Sequence, residues 1–142
     1  MVRFWDSSAI VPLVVQESAT TRVRGWLRED ATVAIWTFTR VEVLSALARR
    51  RRAVPAMRRQ LVTARRDFLE AWPRWFEVTH VDAVKRVAER LVETHPIRAA
   101  DALQIGAALV VADGEPESLE FVTLDERQAE AAEREGLRVV HI

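Results

Sequence analysis

The sequence predicts one α/β domain with a mainly parallel sheet covered on both faces. Two observations carry this. Short runs rich in strand formers alternate with longer runs of helical spacing along the whole chain. Such alternation implies helical crossovers between parallel strands, each laying a helix against the sheet. The 142-residue length and 49% apolar content suit a single domain, residues 1–142, with its own core. No internal repeat, low-complexity tract or linker divides it.

"VRFW" (2–5) is the first strand, and Asp6 stands at the turn into a short helix within "DSSAIVPLVVQE". Ser18 is placed to cap a second helix, which carries Val23, Trp26 and Leu27. "TVAIW" (32–36) is the second strand. Over 39–52 the apolar residues Val41, Leu44, Leu47 and Ala48 are expected to share one buried helix face. Pro55 opens a helix bearing Met57, Leu61, Ala64, Phe68 and Leu69, and Pro73 ends it. "WFEVTHV" (75–81) is the third strand, and Asp82 is the expected cap of the helix that follows it. Pro96 separates that helix from "RAADALQIGAALVVA" (98–112), which ends in a loop at Asp113-Gly114. "LEFVT" (119–123), a helix closed by Gly136, and a last strand in "LRVVHI" (137–142) complete the order.

Ligands of open parallel sheets bind beyond the carboxyl ends of the strands. Four acids reach that edge in this topology. Asp6 directly follows the first strand, and Glu42 lies in the first turns of the helix after the second. Asp125 follows the fourth strand, and Asp101 begins the helix before it, among alanines and leucine that suggest burial. Taken singly, each has an ordinary reading. Asp6 and Asp125 suit helix caps, Glu42 suits a pair with Arg40 or Arg49, and Asp101 suits a pair with Arg98. Together they would repel one another unless a cation joined them. Mg²⁺ or Mn²⁺ suits an all-oxygen set, whereas a chain with no cysteine and three scattered histidines offers nothing to soft metals. Ser7, Ser8 and Thr123 flank these acids and are expected to hydrogen-bond to them.

The same four stretches resemble the PIN-domain ribonucleases, most closely the VapC-type toxins of bacterial toxin–antitoxin pairs. "FWDSSAIVPLV", "TRVEVLSALAR", "IRAADALQIGAAL" and "FVTLDERQAEAAEREGLRVV" match the family's motifs in order and spacing across nearly the whole chain. The resemblance implies a three-layer α/β/α sandwich, with Asp6, Glu42, Asp101 and Asp125 as metal-binding acids. It also implies Mg²⁺ or Mn²⁺ dependence, a homodimer and a cognate antitoxin. The implied reaction is hydrolysis of RNA phosphodiester bonds, leaving 5′-phosphate and 3′-hydroxyl ends and inhibiting translation. Within the last motif Glu126 adjoins Asp125, and the Thr123-Leu-Asp spacing favours Asp125. The alternative is a catalytically silent PIN-like module that binds RNA or an antitoxin.

Net charge is zero but unevenly distributed. Residues 40–75 hold ten arginines against three acids, while residues 113–142 hold nine acids against three arginines. Arg49, Arg50, Arg51, Arg52, Arg58 and Arg59, with Arg65 and Arg66 beyond, form a candidate surface for RNA phosphates; the alternative is a solvated helix face. The five tryptophans read as core or interface residues, and the three histidines receive no role. A phospho-acceptor receiver domain would need a lysine near the last strand, and Lys85 lies in another element. A haloacid-dehalogenase-type phosphatase would carry a second Asp where Ser8 stands. The N-terminal run lacks signal-peptide character and no stretch is long enough to span a membrane, so a cytoplasmic location is expected.

Overall fold

The computed structural model describes residues 2–141. Among the described residues five strands are connected by seven helices: β1 (Val2–Trp5), α1 (Ser7–Val14), α2 (Thr20–Glu29), β2 (Ala34–Trp36), α3 (Thr39–Ala53), α4 (Arg58–Ala71), β3 (Phe76–Val78), α5 (Val81–Thr94), α6 (Ala99–Ala112), β4 (Leu119–Val122), α7 (Glu126–Arg134) and β5 (Arg138–Val140). Short 3₁₀ turns at Pro55–Met57, Trp72–Arg74 and Pro116–Ser118 use proline where its missing N–H costs nothing. All strand pairs are parallel, in the order β3-β2-β1-β4-β5.

Strand alternation builds two cores. Phe4, Ala34, Trp36, Val78, Leu119 and Phe121 point to one face, under α5, α6 and α7. Trp5, Ile35 and Val122 point to the other, under α1 to α4. Phe4 and Phe121, on adjacent strands, stack with centroids 5.7 Å apart. The three-layer sandwich is thus observed, with a sheet parallel throughout. Trp5, Trp36 and Trp72 are core residues, while Trp26 and Trp75 pack at the core's margin.

Four local expectations are corrected. Ser18 is not a cap; Thr20 ties that turn instead, accepting from the Glu17 N–H at 2.9 Å and lying 2.8 Å from the Pro12 carbonyl it bonds. α5 begins at Val81, so Asp82 falls in its first turn, where its charge still suits the helix dipole. The buried stripe of α3 is Thr39, Val43 and Leu47; Val41 is 65% exposed because it lies off that stripe. Asp101 is half-buried rather than buried, since α6 turns Gln104 and Ile105 inward and leaves its first turn at the rim.

α7 ends as the sequence suggests. The Gly136 N–H bonds the Glu133 carbonyl at 2.9 Å and the Leu137 N–H bonds the Ala132 carbonyl at 3.1 Å. Gly136 has φ +93°, and a Cβ there would meet Pro116 Cγ at 3.1 Å. Gly136→Ala is therefore expected to destabilise the fold by about 2 kcal/mol, read as a lowered denaturant midpoint at unchanged m-value.

Candidate metal-binding and catalytic site

The sheet order reverses between β1 and β4, so the chain leaves these adjacent strands toward opposite sides. A crevice opens at such a switch point. Asp6 follows β1 and Thr123 follows β4, which places both at its floor. The Asp6 N–H bonds the Val122 carbonyl at 3.0 Å and locks the two strand ends together.

Asp6 caps α1. Its Oδ1 accepts from the Ser8 N–H at 2.7 Å, and its Oδ2 accepts from the Ser8 hydroxyl at 2.9 Å and from the Thr123 hydroxyl. Burial pushes its carboxyl up to about 6, against the hydrogen bonds from Thr123 and Ser8, and the Glu42 charge adds to the rise.

Glu42 lies in the first turn of α3 and leans on α6. Gln104 Nε2 donates to its Oε1 at 2.8 Å, and the Ser7 hydroxyl donates to its Oε2 at 3.3 Å. Ser7 Oγ also lies 3.4 Å from Asp6 Oδ1, so one serine joins the two acids. Burial raises the Glu42 carboxyl, and the charge of Asp101 adds to this.

Asp101 stands in the first turn of α6. Its Oδ1 accepts from Gln128 Nε2 at 3.3 Å and its Oδ2 from the Arg98 N–H at 3.4 Å. Its carboxyl is raised by burial and by the Asp125 charge, and lowered by Arg98 and Arg127. Asp125 caps α7, accepting from the Arg127 and Gln128 N–H groups at 2.9 and 3.2 Å. Its own N–H donates to Thr123 Oγ1 at 3.0 Å. Glu126, in the same turn, is exposed and lines one cleft with Asp101 and Asp125.

Each acid therefore feels the next, in the sequence Asp6, Glu42, Asp101, Asp125. Among the described residues none of the four forms an ion pair with a basic side chain within 4.0 Å. Four unpaired carboxylates, three of them raised by a neighbouring acid's charge as well as by burial, call for a cation. Among the described residues no three acidic or imidazole groups converge closely enough to cage an ion unaided. The oxygen-only donor set fits Mg²⁺ or Mn²⁺, which keep several waters and need few carboxylates.

Two glutamines escaped the sequence reading. Gln104 is 1% exposed and holds Glu42 and Thr39 through Nε2; its Oε1 is buried with no partner in the protein. Gln128, also buried, ties α7 to Asp101. Each stands three residues after a site acid, on an otherwise apolar or alanine-rich helix face. His95, given no role from the sequence, is buried against Glu135 at 2.7 Å, with Arg90 bidentate on the same carboxylate.

The structure divides the arginine run. Arg49 lines a cleft of about 320 Å³ together with Ser7, Ser8 and Glu42. Arg50 pairs with Glu17 at 2.8 Å. Arg51 shares a separate groove between α3 and α4 with Arg65 and Arg66, while Arg52, Arg58 and Arg59 are exposed without site contacts.

A profile of the PIN domain matches residues 3–134. The chain belongs to the PIN-domain family. This PIN domain is 30% identical over 137 residues to "Ribonuclease VapC45" of Mycobacterium tuberculosis, covering 96% of this chain and 92% of that protein. Its fold resembles FitAcB of Neisseria gonorrhoeae, with a TM-score of 0.66 at 18% identity, covering 97% of this chain and 96% of that one. It also resembles VapBC2 of Rickettsia felis, solved bound to a promoter DNA fragment, with a TM-score of 0.62 at 12% identity over 100% of this chain and 99% of that one. Among the described residues no helix is long and apolar enough to cross a membrane.

Proposed function

We propose that this PIN domain is a metal-dependent endoribonuclease that hydrolyses RNA phosphodiester bonds, acting as the VapC-type toxin of a toxin–antitoxin pair. The observation that carries the reading is the line of four carboxylates without a basic partner at the β1/β4 crevice. The relative named a ribonuclease, matched over nearly its whole length, agrees with it.

Asp6, Glu42, Asp101 and Asp125 are the proposed ligands of Mg²⁺ or Mn²⁺. A bound dication supplies Lewis-acid polarisation of the phosphate and a water of lowered pKa. The residues of the chain do the positioning. Ser8 and Thr123 hold both oxygens of Asp6, Ser7 and Gln104 fix the Glu42 carboxylate, and Gln128 orients Asp101. A water nucleophile makes the RNA 2′-hydroxyl unnecessary to the chemistry, so rejection of DNA rests on binding. A cognate antitoxin, a homodimer and a cytoplasmic location complete the reading.

A silent RNA-binding module is disfavoured by the same acids, because concentrated negative charge beside phosphate weakens binding. The test incubates purified protein with total RNA in Mn²⁺ and maps the new ends by sequencing. Cuts leaving 5′-phosphates, abolished by excess EDTA, are expected; full cutting in EDTA overturns the metal role.

A further inference from the structure

Asp101 and Asp125 border a second cleft that the sequence did not suggest and that shares no lining residue with the cleft at Arg49. Its volume is about 650 Å³; Arg98 and Arg127 line it beside the acids Asp101, Asp125 and Glu126, with Pro96, Ile97 and Ala100 as its apolar wall. Arg98 and Arg127 are exposed, and among the described residues neither forms an ion pair within 4.0 Å. Both lie near enough to Asp101 to favour its charged form. Past Pro96 and Arg127 the cleft adjoins another hollow of about 440 Å³, edged by Arg134.

We propose that Arg98 and Arg127 form a phosphate-binding subsite, gripping the RNA backbone on the α6/α7 side of the cut while Arg49 grips it on the α3 side. This rests on the ribonuclease reading. The physical case is one of sign and placement. A polyanion laid across four carboxylates needs cationic anchors on each flank, close enough to offset repulsion yet not neutralised by neighbours. Guanidinium forks suit phosphate oxygens. Arg98 and Arg127 meet both conditions, whereas Arg50 is already paired with Glu17, and Arg51, Arg65 and Arg66 open onto the α3/α4 groove. These contacts fall on the backbone, so they position the strand without selecting its sequence.

The test measures binding of a labelled 20-nucleotide single-stranded RNA of mixed sequence, in EDTA so that no strand is cut, over a range of salt. Arg98→Gln/Arg127→Gln is expected to weaken binding about tenfold and to reduce the log–log salt slope by about 1.4, near 0.7 per phosphate contact. Arg98→Lys/Arg127→Lys, which keeps the charges, is expected to restore the slope. Arg51→Gln/Arg65→Gln is expected to leave the slope of the wild-type protein. An unchanged slope in the Gln variant, with wild-type RNA binding intact, overturns the subsite and leaves the ribonuclease reading standing. No RNA binding by the wild-type protein in EDTA also overturns the subsite, while the ribonuclease reading stands or falls on the cleavage test in Mn²⁺.

Discussion

Asp6→Asn is expected to reduce cleavage by roughly 10³-fold while making the metal-free protein more stable at pH 8. The activity loss follows from removing the most buried of the four carboxylates. The stability gain follows from its pKa. Folding raises the Asp6 carboxyl from 3.8 to about 6, so the native state holds the proton more tightly than the unfolded chain. That stabilisation is fully present below pH 3.8 and is lost as pH rises through about 6. At pH 8 the ionised group therefore costs the fold about 2–3 kcal/mol relative to an Asp of ordinary pKa. Asparagine carries no charge, and its amide finds acceptors in the Ser8 and Thr123 hydroxyl oxygens, each of which has two lone pairs. Urea titrations from pH 4 to 8 test this. The wild-type protein should lose stability across the range, and the Asn variant should lose much less. A variant less stable than wild type at pH 8 would contradict the assignment of Asp6 as a strained, functional acid.

The second large effect is on thermal stability with metal. Mn²⁺ at a hundredfold excess over its Kd is expected to stabilise the protein at pH 8 by about 2.7 kcal/mol, roughly 6–12 °C in Tm for a chain of this size. Binding needs the carboxylates ionised, and the raised Asp6 and Glu42 protons must be displaced first. The shift should therefore shrink sharply between pH 7 and pH 5. A Tm shift of the same size at both pH values would place the ion elsewhere on the surface.

The reach of the sequence can be judged from these residues. Asp6 and Asp125 were legible because each follows a strand and begins a helix, two positions that topology alone brings to one edge. Glu42 was legible by the same logic. What the sequence did not display is the support beneath them. Gln104 and Gln128 read as ordinary polar residues on apolar helices, and only the packing of α6 against α3 and α7 shows what they hold. Arg98 and Arg127 were obscured by the denser run at Arg49 to Arg52, since a linear count of charge cannot tell a paired guanidinium from a free one. The alternation of strand and helix predicted the layers, while the helix starts at Thr20 and Val81 depended on turn geometry that single residues such as Ser18 and Asp82 do not dictate.

Anomalous scattering from crystals soaked in Mn²⁺ tests the central claim most directly. A peak bounded by carboxylate oxygens of Asp6, Glu42, Asp101 and Asp125 is the predicted result. Absence of a peak at saturating Mn²⁺, with those four side chains remaining apart, would contradict the account.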